Sequence, residues 1–143
     1  MKTKRVNRYY CEFCKKAGCS GGHIKRHEDR CTMNPNRQCG VCGKLLEQEQ
    51  PNIDMLKGLL PGHKECVDTM SVDGDTYVSY RSDVLNTAYR RIMDAAGGCP
   101  NCTAAAFRQA GLPLRAVTAF DWGAEMAAIW AEINNDNCAN DWQ

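Results

Sequence analysis

Cys11-Glu12-Phe13-Cys14-Lys15-Lys16-Ala17-Gly18-Cys19-Ser20-Gly21-Gly22-His23-Ile24-Lys25-Arg26-His27-Glu28-Asp29-Arg30-Cys31 carries the spacing on which the reading of this chain turns. Two cysteines stand two residues apart, twelve residues follow, and His27 and Cys31 then stand at i and i+4. Zinc takes four thiolate or imidazole ligands in a tetrahedron, and a Cys-x-x-Cys turn facing a helical i, i+4 pair supplies them. Cys11, Cys14, His27 and Cys31 are therefore the first set of candidate metal ligands. Cys19 and His23 lie nearby but fit a turn-then-helix arrangement less well. Ser20 is suited to cap the helix, although Gly21 and Gly22 weaken its first turn. Tyr9 and Tyr10 can form a first strand. Ile24, Phe13 and the tyrosine pair are the expected apolar core, too small to hold the segment without metal.

With those residues in place, residues 9–31 resemble a single C2H2-type zinc finger, in the C2HC variant whose last ligand is cysteine. The resemblance implies a ββα unit with Ile24 packed against the cysteine turn. Gly18 departs from the pattern, because the family usually carries an aromatic residue there. Carried over, the family's geometry points Ser20, His23 and Arg26 at base edges. Of these only Arg26 is a strong reader, by bidentate contact to guanine. One finger covers about three base pairs and no second finger follows, so contact without sequence specificity is the expectation.

A second knuckle, Cys39-Gly40-Val41-Cys42-Gly43, follows a turn-rich bridge from Thr32 to Arg37. Gly43 is expected to take the left-handed backbone while turn amides donate to the thiolates. Two pairs can complete this site. His63-Lys64-Glu65-Cys66 would give three cysteines and a histidine; Cys99-Pro100-Asn101-Cys102 would give four cysteines in a zinc-ribbon-like pair of knuckles. The four-cysteine set is preferred, because both of its segments have knuckle chemistry and His63 and Cys66 suit an ordinary loop. It would close a loop of about sixty residues and staple the body of the chain. A redox dithiol at Cys99 and Cys102 would need a preceding strand, and none is expected there.

Ten cysteines in 143 residues, with 43% hydrophobic content, agree with metal staples in place of a large core. Met1-Lys2-Thr3-Lys4-Arg5 leads into Val6, Asn7 and Arg8 without an apolar run, so a cytoplasmic, reduced setting is expected. The net charge of +1 hides an asymmetry. Residues 1–44 hold eleven basic side chains against three acidic, and the rest of the chain holds seven against fourteen. Lys4, Arg5, Arg8, Lys15, Lys16, His23, Lys25, Arg26 and Arg30 are the candidate nucleic-acid contacts.

Beyond the knuckle, Asn52–Leu60 reads as a short helix, Asp73-Gly74-Asp75 as a turn and Thr76–Tyr80 as a strand. Ser82 or Asp83 is expected to cap a helix with Leu85, Ala88, Tyr89, Ile92 and Ala96 as its buried stripe. Gly97-Gly98 would stop it, and Pro100 can open another that is helical from Thr103 to Ala110. Asp121 is expected to cap a last helix whose stripe of Trp122, Met126, Ile129, Trp130 and Ile133 packs on the 83–96 helix. The tail from Asn134 is polar and gives Cys138 no role. Gly98–Leu112 and Phe120–Asn134 are similar to small zinc-finger-like proteins of bacteriophages and actinobacteria. That similarity implies a microbial or phage-infected host cytoplasm and the ribbon pairing, and it implies no activity.

The expected architecture is small α+β and mainly α: a basic arm and finger over 1–36, and a zinc-stapled, acidic, mostly helical body over 37–143. Two zinc ions per chain are expected. Catalysis is not, because both ligand sets leave no open metal position and no nucleophile triad or phosphate loop occurs. An accessory protein contacting DNA or RNA is preferred, with a protein–protein adaptor or inhibitor as the alternative and no membrane partner.

Overall fold

A computed structural model describes residues 1–140, with side chains through residue 135, so Cys138 lies outside the described side chains. The chain is small α+β with two separate two-stranded antiparallel sheets. Strand β1 (Tyr9–Tyr10) pairs with β2 (Ala17–Gly18), and helix α1 (Gly21–Arg30) follows. Ser20 caps α1, its hydroxyl accepting from the His23 amide at 3.4 Å. The core of this unit differs from expectation. Cys11, Cys31 and Ile24 are buried, with Cys14 and Met33 packed on them, while Phe13, Tyr9 and Tyr10 are exposed. Gly18 stands beside Ile24: a Cβ there would meet the Ile24 side chain in ordinary contact at 3.6 Å.

Of the second cysteine pair, Cys42 lies on a π-helical turn over Val41–Leu45 and Cys39 just before it. Gly43 sits inside that turn and is not left-handed; the positive φ values nearby fall at Glu47, Gly97 and Gly98. A short α2 (Ile53–Gly58) is capped by Asn52, whose side chain accepts from the Asp54 and Met55 amides. Then comes a hairpin, β3 (Val67–Val72) against β4 (Asp75–Tyr80), in register from Val67↔Tyr80 to Val72↔Asp75. Asp73 and Gly74 both have positive φ, the two-residue primed turn whose twist matches that of the strands. The hairpin projects, with Met70, Val72, Tyr77 and Val78 all exposed.

Helix α3 (Ser82–Ala95) starts one residue earlier than expected: Arg81 is its N-cap and makes no side-chain cap bond. The stripe of Leu85, Ala88, Tyr89, Ile92 and Ala96 is buried throughout. Helix α4 (Pro100–Gln109) is the centre of the body, buried from Cys102 to Phe107. Its run Ala104-Ala105-Ala106 has no bulk to hold neighbours away, and α2, α3 and the last helix all pack on it. Phe107 fills the middle with Leu56, Leu85, Ile92 and Val117, all fully or almost fully buried.

Helix α5 (Trp122–Asn140) is capped by Asp121, which accepts from the Ala124 amide at 3.1 Å. It lies against α4 and touches α3 through the Tyr89 hydroxyl, which donates to Glu125 Oε1 at 2.9 Å. Ile129 is buried and Met126 and Ile133 partly so, but Trp122 and Trp130 stay about half exposed, contrary to the expected stripe. Among the described residues no helix is long and apolar enough to cross a membrane.

Candidate metal centres

The first centre gathers Cys11, Cys14, His27 and Cys31, whose ligand atoms lie within 4.8 Å of one another. Cys14 Sγ and His27 Nε2 are 3.1 Å apart. The β1–β2 turn is shaped around the sulfurs: the Phe13 amide donates to Cys11 Sγ and the Lys16 amide to Cys14 Sγ, each at 3.4 Å. Cys31 stands just past the end of α1, where its own amide caps the helix by donating to the Glu28 carbonyl, and not inside the helix as the i, i+4 reading expects. Burial lowers the His27 pKa, which favours the neutral imidazole a metal requires. Burial pushes the Cys31 thiol up to about 11, so this sulfur needs a cation to become thiolate near neutral pH.

The second centre brings together Cys39, Cys42, Cys99 and Cys102, all buried, again within 4.8 Å. Cys39 and Cys99 Sγ are 3.5 Å apart and Cys42 and Cys102 Sγ 3.6 Å. These separations are far beyond a disulfide bond and near the roughly 3.8 Å edge of a tetrahedron of sulfurs around zinc. Both turns supply amides: Cys42 N donates to Cys39 Sγ at 3.5 Å and Cys102 N to Cys99 Sγ at 3.4 Å. Hydrogen bonds from Cys102 and Cys99 hold Cys39 well below the usual thiol range. Sharing with Cys102 and Cys39 pushes Cys99 up, and sharing with Cys39 pushes Cys102 up to about 12. A divalent cation in this nest would favour thiolate at Cys99 and Cys102, which their neighbours otherwise keep protonated.

Three side chains outside the ligand sets complete the second centre, and the sequence reading did not single them out. Arg37 is only 4% exposed and donates from Nη1 to Cys102 Sγ at 3.5 Å. Among the described residues it has no carboxylate partner, and its Nε has no hydrogen-bond partner. Burial opposes its charge, but contact with Cys102 and Cys39 keeps it protonated. A buried guanidinium beside four sulfurs is the counter-charge that a zinc tetrathiolate, with a net charge of about −2, requires. Gln48 Nε2 donates to Cys42 Sγ at 3.4 Å and to the Ala96 carbonyl at 2.9 Å. Gln50 accepts from the Cys39 amide at 2.6 Å and donates to the Arg37 carbonyl at 2.8 Å. The donor sets, the amide-lined turns and the buried cation all fit zinc.

The alternative partners stand elsewhere. Cys66 is fully buried in the apolar core, and His63 is exposed with its ring edge-on to Tyr80 at 5.9 Å. Cys19 and His23 are also exposed and outside the first centre; His23 Nδ1 instead lies 3.1 Å from Arg26 Nη2.

Of the candidate nucleic-acid contacts, Lys16, His23, Arg26 and Arg30 surround one hollow of about 480 Å³ beside α1, whose wall also includes Asp29, Gln38 and the ligand candidate His27. Lys25 pairs with Asp29 at 3.2 Å on the exposed side of the helix. Lys4, Arg5, Arg8 and Lys15 are exposed on the arm and turn and do not reach that hollow. The bridge between the centres is anchored. Gln109 Nε2 donates to the Thr32 and Asn34 carbonyls, and Arg108 Nη1 to Thr32 Oγ1. No family model matches this chain, and no curated protein or solved structure does either.

Proposed function

We propose that this chain is a zinc-binding accessory protein whose two metal ions hold its shape and whose basic N-terminal unit contacts DNA or RNA without strong sequence preference. The observation that carries the reading is the clustering of Lys16, His23, Arg26 and Arg30 around one hollow, on the unit that also bears the basic arm. The Lys16, Arg26 and Arg30 cations of this cluster attract phosphates and release their counterions. Each metal centre is filled by four protein ligands, which supports structural zinc and argues against catalysis at the metal. Thiolate ligands also suit a reducing cytoplasm.

The test is binding of the zinc-loaded chain to duplex DNA, single-stranded DNA and RNA at several salt concentrations. Affinity is expected to fall steeply with salt, and Lys25→Ala combined with Arg26→Ala to weaken binding while zinc content and helicity stay unchanged. Negligible affinity at low salt would reject the reading. A second reading, a protein–protein adaptor, is favoured by the projecting hairpin, which exposes Met70, Val72, Tyr77 and Val78 beside Asp68, Asp73 and Asp75. Loss of a co-purifying protein on Met70→Ser with Tyr77→Ser, together with no affinity for nucleic acid, would favour it.

A further inference from the structure

A second hollow, of about 370 Å³, adjoins the one beside α1. Its walls come from three parts of the chain that are distant in sequence: Arg30 from α1, Arg37 and Lys44 around the second cysteine turn, and Trp130 from α5. Arg30 and Gln38 line both hollows, so one basic track runs from Lys16, His23 and Arg26 across Arg30 to Lys44. The Arg30 guanidinium is held over the cysteine turn, 4.0 Å from where a Cβ on Gly40 would stand.

Two features of this cleft ask for a ligand. Trp130 is 48% exposed on a helix whose next apolar residue toward the core, Ile129, is buried, so an indole is presented to water at the mouth of a cationic cleft. Arg30 and Lys44, in the walls, are both exposed and make no ion pair among the described residues. An aromatic plane beside several cations is the composition that binds a nucleotide: the base stacks on the indole and the phosphate meets the guanidinium and ammonium groups.

We infer that the cleft between α1, the Cys39–Cys42 turn and α5 seats one unstacked nucleotide of a single-stranded nucleic acid, with its base on Trp130 and its backbone along Arg30 and Lys44. The continuity of the track favours a strand over a free nucleotide, because a strand places further phosphates on Arg26 and Lys16. A duplex keeps its bases stacked and cannot offer one to Trp130. This site rests on the nucleic-acid reading above and adds to it a base-dependent contact outside the finger.

The experiment measures the affinity of the zinc-loaded full chain for labelled oligothymidylate, an abasic strand of the same length, a duplex and free thymidine monophosphate. Trp130→Ala is expected to weaken oligothymidylate binding about tenfold, within the range of one lost base stack. Trp130→Phe should restore most of it, and neither variant should change affinity for the abasic strand or the duplex. Zinc content and helicity report that the variants are folded. Unchanged oligothymidylate affinity in Trp130→Ala, with binding still weakened by Lys25→Ala plus Arg26→Ala, would overturn this inference and leave the broader reading standing. Equal weakening on all three polymers would also overturn it, by showing a structural role for Trp130. Thymidine monophosphate competing as well as the strand would reject the strand in favour of a free nucleotide. Absence of binding to every polymer at low salt would sink both readings together.

Discussion

Replacing Arg37 with methionine separates a metal-filled second centre from a cluster of neutral thiols. The guanidinium is 4% exposed, donates to Cys102 Sγ at 3.5 Å and lacks a carboxylate partner among the described residues. If the sulfurs hold zinc, Arg37→Met removes a hydrogen bond to a charged acceptor, a loss of about 1.5–3 kcal/mol. That corresponds to about tenfold to hundredfold weaker metal binding, the range seen when residues that support metal ligands are changed. If the sulfurs are thiols, the same change replaces an unpaired buried charge with an apolar side chain of similar length, and stability holds or rises. The assay is zinc competition against a chelating dye, with cobalt spectra distinguishing the four-sulfur centre from the three-sulfur, one-nitrogen centre. Melting with and without chelator completes it. Expected are weaker binding at the four-sulfur centre alone and a lower melting temperature only for the metal-loaded protein. Unchanged metal affinity together with a raised melting temperature would refute the argument for a tetrathiolate.

Three further outcomes are expected. Metal analysis should find two zinc ions per chain, one for each four-ligand set, with one lost in Cys99→Ser and neither in Cys66→Ser, since Cys66 packs in the apolar core. Gly97→Ala should destabilise the chain by about 1 kcal/mol or more, read by thermal melting, because φ is +65° there and a Cβ would collide with the Gln48 carboxamide. Tyr89, raised from 10.0 to about 12 by burial and then by its bond to Glu125, should ionise well above pH 10 in an absorbance titration compared between the parent chain and Tyr89→Phe. Its unfolded form loses the proton first, so its contribution to stability is intact below pH 10 and disappears as pH rises toward 12; Tyr89→Phe should abolish that part of the alkaline loss.

The ligand types were legible because metal chemistry demands few residue types at short, rigid spacings. The pairing of the second centre was not fixed by spacing, since the sixty residues between Cys39 and Cys99 leave no local mark and His63–Cys66 offered the same ligand types. Strand β3 was invisible for a different reason. Val67-Asp68-Thr69-Met70-Ser71-Val72 has both faces exposed, so no alternation develops; only the Asp73-Gly74 turn signalled a hairpin. On α5 the apolar residues recur at helical spacing, yet periodicity does not say which members a neighbour covers or which neighbour it is, and the helix packs more on α4 than on the expected 83–96 helix. Ile129 is buried in the core of the body, while Trp122 and Trp130 stay partly in water. Arg37, Gln48 and Gln50 look like ordinary solvated residues in sequence, and become part of the centre only because the fold closes over them.

The same closure bears on how metal would act in nucleic-acid binding. Cys31 and Cys39 are the last ligand of one centre and the first of the next, and the segment between them is pinned by Gln109 and by the Gln38 amide donating to the Asp29 carbonyl at 2.8 Å. Fixing both ends of that segment holds α1 against the second cysteine turn, which places Arg30 and Lys44 on one cleft. Chelation leaves every basic side chain in the sequence but releases this placement. Salt-dependent attraction to phosphate would persist without metal, because it needs only charge. Discrimination of a strand with bases from an abasic one would vanish, because it needs Trp130 and the cations at fixed positions. A positional role for zinc thus separates from a merely stabilising one in the metal-free chain: what disappears first is base dependence, with the dependence on salt still in place.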